Sequence, residues 1–137
     1  MAEHLPRILY HMLPGDIAIW RRFLLQYEEQ FDRFTYDVHV GPKLRVEDPD
    51  MPWLADFSER ALSLRIDVVA EKPGEVWIIE VKPNAGLGAL GQLIAYRYYL
   101  DPSWYVGKEL KAVLVTDYAR HYMIELDAAF ELVRIIV

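Results

Sequence analysis

Asp67, Glu80 and Lys82 are three ionisable residues that one short turn can bring together. They lie in two runs rich in β-branched residues. The first is Arg65-Ile66-Asp67-Val68-Val69-Ala70 and the second is Val76-Trp77-Ile78-Ile79-Glu80-Val81-Lys82, with Pro73-Gly74 between them. Two such runs around a turn signal predict a β-hairpin. A register symmetric about the turn sets residue 72 opposite 75, residue 70 opposite 77, and Asp67 opposite Glu80. Opposed residues on one face have Cβ atoms roughly 4.5–5.5 Å apart, and like charges there repel. A bound cation resolves that repulsion. Side chains alternate along a strand, so Lys82 shares the face of Glu80 while Val81 points to the other. Two carboxylates and a lysine on one face suit a divalent-metal site with an adjacent cation. The register decides this, because L-Pro-Gly suits a type II turn whereas two-residue hairpins prefer types I′ and II′. A one-residue slip sends every side chain to the opposite face.

The rest of the chain must position that hairpin. Residues 1–15 form an N-terminal arm, apolar and aromatic around Pro6, closed by the breaker Pro14-Gly15. Asp16 follows as the N-cap of a helix, with Ile17, Trp20, Leu24, Tyr27 and Phe31 near helical spacing. From Phe34 to Val40 the pattern alternates like a strand. Phe34, Tyr36, Val38 and Val40 share one side; Thr35, Asp37 and His39 share the other. Residues 41–62 are a loop or insertion whose second half, 53–62, is either a short helix or irregular. After the hairpin, residues 83–88 are loop and 89–100 are helix. A buried strand over 110–116, a helix within 118–130 and a last strand over 132–137 complete the chain. The order implies an α/β fold, a mixed sheet flanked by helices in one domain over residues 1–137.

Composition narrows the class. With 137 residues and 53% hydrophobic content, the chain can bury a core. It has no cysteine, which excludes disulfides, thiolate zinc sites and iron–sulfur clusters. No apolar run reaches the ~18–20 residues of a membrane span, and Met1 to Pro6 does not resemble a secretory signal. The expectation is a soluble, cytoplasmic protein. A net charge of −6 argues mildly against general nucleic-acid binding, although metal would neutralise some of the acids. His4, His11, His39 and His121 show no metal-ligand spacing. Tyr98, Tyr99, Trp104 and Tyr105 are expected in the core or at a subunit contact.

Asp67, then Glu80-Val81-Lys82, resembles the D…(D/E)xK signature of the PD-(D/E)XK nuclease superfamily. Gln92-Leu93-Ile94-Ala95-Tyr96, in the following helix, resembles the QxxxY motif of the superfamily's recombination-exonuclease branch. The resemblance covers roughly residues 16–116. It departs at the first acid, where Arg65-Ile66 stand in place of the usual proline, and on the first helix, where Asp16 and Glu28 are the candidates for a further ligand. It implies a restriction-endonuclease-like αβββαβ core and a Mg²⁺- or Mn²⁺-dependent DNA nuclease. Asp67, Glu80 and the Val81 backbone carbonyl would hold the metal. Lys82 would orient water or offset transition-state charge, and Gln92 would hold a water or phosphate. Tyr96, Arg97 and Arg65 would contact the nucleic-acid backbone. Arg65 is expected on the strand face of Asp67. DNA is the implied partner, with a homo-oligomer or a larger nucleic-acid-processing complex left open; exo or endo action is not implied.

Two other classes compete. One is a nuclease-fold module that no longer cuts and serves binding or assembly. The other is dinucleotide binding, because Gly86-Leu87-Gly88-Ala89-Leu90-Gly91 matches GxGxxG between a strand and a helix. Charged Glu80 and Lys82 fit poorly in the buried parallel strand that this fold requires. On the nuclease view these glycines allow a flexible approach to the site and close helix packing.

Overall fold

The computed structural model describes residues 12–42 and 44–137, without the side chains of residues 60–62. The expected histidines His4 and His11, and most of the N-terminal arm, lie outside the described residues. The elements are helix α1 (Pro14–Tyr27), strand β1 (Arg33–Val40), helix α2 (Leu54–Leu62), strands β2 (Leu64–Lys72) and β3 (Glu75–Val81), helix α3 (Leu87–Tyr99), strand β4 (Glu109–Thr116), helix α4 (Met123–Ala129) and strand β5 (Leu132–Ile136). One five-stranded sheet runs β1-β2-β3-β4-β5 in sequence order. The first three strands form an antiparallel meander; β4 and β5 then join parallel to β3 through helical crossovers.

Each face of the sheet carries its own core. α1 places Ile19, Trp20, Phe23 and Leu24 against Val68, Ala70, Trp77, Ile79, Val113 and Val115. The Trp20 and Phe23 rings stack at 4.7 Å, and the Trp20 indole donates to the Tyr36 hydroxyl at 3.0 Å. On the opposite face α3 packs Ala89, Leu90, Leu93 and Tyr96 against Ile66, Val69, Val76, Ile78 and Leu114, and α4 adds Met123. Full burial of each large apolar side chain contributes about 1.5–3 kcal/mol relative to exposure. β3, apolar on both faces, is the axis about which these layers close. Among the described residues, no helix is long and apolar enough to cross a membrane.

The hairpin has the expected register. β2 ends at Lys72 and β3 begins at Glu75, with Ala70 opposite Trp77 and Val68 opposite Ile79. Gly74 has φ 79°, the value that a Pro-Gly type II turn demands of its third residue.

Several local expectations are corrected. Pro14 opens α1 rather than breaking the chain before it, since the first helical position needs no N–H donor. Asp16 is therefore three residues past the N-cap Leu13, and its carboxylate accepts the Leu13 N–H at 2.9 Å. α3 begins at Leu87, two residues early, because Gly86 serves as its cap. Within residues 41–62, the segment 54–62 is helical.

β1 does not keep one alternation. Phe34 and Tyr36 pack on the α1 core, whereas Val38 and Val40 pack on the α3 core. Asp37 lies at the switch with φ 57°, a left-handed conformation that Asp tolerates better than most residues. β2 switches at the same level: Leu64 and Ile66 join the α3 core, Val68 and Ala70 the α1 core. The β1–β2 ladder pairs Tyr36 with Val68 and Val38 with Ile66, passing over Asp37 and Asp67. Strict period-two reading cannot anticipate one left-handed residue.

Candidate active site

The β2–β3 ladder ends at the Val68–Ile79 rung, one step short of the Asp67–Glu80 pairing expected from sequence, yet the two side chains remain neighbours. The two carboxyls interact directly. Asp67 Oδ2 accepts the Val81 backbone N–H at 2.9 Å, which fixes its side chain across the end of the ladder. Glu80 is only 7% exposed, and its Oε2 is buried with no hydrogen-bond partner among the described residues. Even residues of β3 face α3, and there Tyr96, 3% exposed, packs its phenol against Glu80.

The electrostatics follow from this burial. Desolvation is the largest cause raising the Asp67 pKa, partly opposed by the Val81 N–H. Desolvation also leads for Glu80, followed by the Asp67 charge, while Lys82 acts in the opposite sense. The Asp16 carboxylate adds to the negative field on both groups, and Asp37 adds to that on Asp67. Tyr96 is raised by its own burial and then by the two acids. Asp16 is thus the α1 acid that acts on the pair; Glu28 instead acts on Tyr36, whose pKa burial pushes up to about 12.

Two raised carboxyls in contact, one with a buried oxygen that has no hydrogen-bond partner among the described residues, form a donor set suited to a cation. Among the described residues no group of three or more His, Cys, Asp or Glu side chains is arranged to hold a metal ion. Two carboxylates are nevertheless what Mg²⁺ commonly takes from a protein, the other positions going to water and substrate phosphate. The residues therefore fit a magnesium-type ion, with the Val81 carbonyl as a further oxygen of that strand end.

The remaining candidates separate. Lys82 is exposed just past β3 and its charge acts on Glu80. Tyr96 is at the acids, while Gln92, one turn earlier on α3, is exposed. Arg65 is not a clean neighbour of Asp67: its Nη1 donates to Asp37 at 3.1 Å, and Ile66 beside it belongs to the α3 core. Arg97 donates to the backbone carbonyls of Phe130 and Glu131 at the end of α4. Both arginines thus have partners within the fold, which sequence alone did not reveal. Tyr98 is 80% exposed rather than core, in edge contact with Tyr99. A Cβ at Gly88 or Gly91 would meet open space, so neither glycine serves close helix packing. Asp37 was missed as an influence on the site; its only sequence signal is an Asp interrupting a β pattern.

No family model matches this chain, and neither a curated protein nor a solved structure matches it. Function must therefore be argued from the site itself.

Proposed function

We propose that the protein is a metal-dependent DNA nuclease with a PD-(D/E)XK-like core, hydrolysing phosphodiester bonds. The observation that carries this reading is the buried Asp67–Glu80 contact, with Lys82 following on the same strand end. The order α1-β1-β2-β3-α3-β4, with α2 inserted and α4-β5 appended, supports it, since it gives the αβββαβ sequence of elements. Asp67 and Glu80 would hold Mg²⁺ or Mn²⁺. When bound, such an ion acidifies water and polarises a phosphoryl oxygen. Asp67 is kept in place by the Val81 N–H, and Tyr96 restrains Glu80. The Lys82 ammonium orients the attacking water or offsets charge accumulating on the phosphoryl oxygens. Gln92, exposed on α3, would meet the DNA backbone or a water.

The test is cleavage of labelled single-stranded, duplex, flap and branched DNA with Mg²⁺ or Mn²⁺, with EDTA as control. Cleavage that stops in EDTA is the expected result. A purified, folded protein that cuts none of these forms overturns it. That outcome favours the second reading, a non-cutting binding or assembly module, which the internal engagement of Arg65 and Arg97 and the charge of −6 support.

A further inference from the structure

The residues after Lys82 are held by a segment that this chemistry does not use. Lys82 donates its backbone N–H to Val115 at 3.0 Å. Asn84 then turns left-handed at φ 44°, and its N–H donates to Asp117 Oδ1 at 2.7 Å. Arg120 holds the same residue twice. Its Nε donates to Asn84 Oδ1 and its Nη2 to the Asn84 carbonyl, each at 3.2 Å. Its Nη1 donates to the Tyr122 hydroxyl at 3.3 Å. Ala85, fully buried, donates its N–H to the buried Thr116 Oγ1 at 3.2 Å. A Cβ on Gly86 would stand 3.3 Å from Arg120 Cζ, so the guanidinium also covers the residue that caps α3. Three consecutive residues between Lys82 and α3 are thus clasped from the end of β4 and the loop after it.

We propose that Arg120, acting with Thr116 and Asp117, is a positioning residue that sets Lys82 and the start of α3 relative to the Asp67–Glu80 pair. The proposal rests on the nuclease reading. Lys82 is exposed, so its long side chain takes its direction from the backbone rather than from packing. Asn84 occupies a conformation that costs energy unless the surroundings hold it. A reacting group displaced by about 1 Å can cost on the order of 10²-fold in rate. Each nitrogen of the Arg120 guanidinium already donates within the fold, which marks it as a brace more than a phosphate contact.

The experiment compares Arg120→Ala, Arg120→Lys and Asn84→Gly in single-turnover and steady-state cleavage, beside amide exchange. Arg120→Ala should lower kcat about tenfold or more, within the range for misplaced groups. KM for DNA, its salt dependence and Mn²⁺ affinity should hold steady, and exchange at Asn84 and Ala85 should accelerate. Arg120→Lys should recover only part of the rate, because an ammonium cannot reproduce the fork. Asn84→Gly keeps the backbone conformation and should lie between. A raised KM with a salt slope reduced by about one would make Arg120 a phosphate contact and overturn the proposal. So would faster exchange with unchanged kcat. If the wild-type protein cleaves nothing, the nuclease reading falls separately. Amide exchange then still judges the clasp: unchanged protection over residues 84–86 in Arg120→Ala overturns it.

Discussion

The two ends of the β2–β3 hairpin follow opposite electrostatic rules. At the turn, Glu75 bridges Lys72 at 3.1 Å and also Lys111 from β4. The Lys72 ammonium lies 4.9 Å from the Trp77 ring centroid and 5.4 Å from that of Phe31. Lys111, then Lys72, holds the Glu75 carboxyl below its ordinary pKa. At the open end Asp67 meets Glu80, both are raised, and a buried Glu80 oxygen has no hydrogen-bond partner among the described residues. One hairpin thus contains a pairing built for stability and a pairing that stability alone would remove. That contrast is the electrostatic pattern the proposed metal site would require.

The largest test of that contrast is removal of the open-end acids. Asp67→Ala and Glu80→Ala should each reduce DNA cleavage to background, and EDTA should do the same to the wild type. Metal-free Glu80→Ala should be unchanged in stability or higher by a few tenths of a kcal/mol, as for other like-charge cross-strand pairs, whereas Asp67→Ala also orphans the Val81 N–H and should lose about 1–3 kcal/mol. Urea denaturation showing a large loss in both variants would make the acids structural.

Lys82→Ala should come next, lowering kcat by roughly 10²–10⁴-fold, the range for a positioned proton-transfer or charge-stabilising group. Affinity for DNA should scarcely change, because the contribution lies in the transition state. Equal loss of binding, with an unaltered rate on bound DNA, would reduce Lys82 to a phosphate contact.

The pH dependence of the metal-free protein distinguishes the ends by sign. Both open-end carboxyls have folded pKa values above their unfolded ones, so the folded state binds more protons. Their contribution is fully present below the ordinary carboxylate range and is lost as pH rises through the folded values. Thermal unfolding in EDTA should therefore show stability from this pair declining from about pH 4 upward, starting near unperturbed carboxyl values. Glu80→Gln should flatten that decline, and Mg²⁺ should oppose it. Glu75 behaves inversely, its contribution being lost as pH falls. A wild-type profile identical to that of Glu80→Gln would remove the buried-pair account.

The smallest effect belongs to the turn. Glu75→Gln should cost about 0.2–1 kcal/mol, the usual range for partly exposed ion pairs, and leave cleavage untouched. Loss of activity in this variant would show that the two ends are not independent.

Sequence made the hairpin legible because Pro73-Gly74 and two β-branched runs allow few registers. Tyr96 was expected to touch the nucleic-acid backbone; it is instead buried against Glu80, a placement that helical spacing alone does not give. The switch at Asp37 was not legible, because alternation presumes that no residue turns left-handed. The partners of Arg65 and Arg97 were not legible for another reason: an arginine's partner is set by tertiary approach, here Asp37 on β1 and the end of α4. The clasp on Asn84 likewise joins residues more than thirty positions apart.

The two-residue turn also sets when the acids meet. Loop-closure entropy favours local pairings, so β2 and β3 can zip before β4 and β5 arrive through their helical crossovers. Asp67 and Glu80 lie at the far end of that zipper and would meet while the chain is still folding. Their mutual repulsion would then act on the folding limb of a chevron in EDTA at high pH, while the larger desolvation cost would act where α3 and β4 pack and appear in unfolding. On that view, a cation that completes the site also helps the nascent sheet to close.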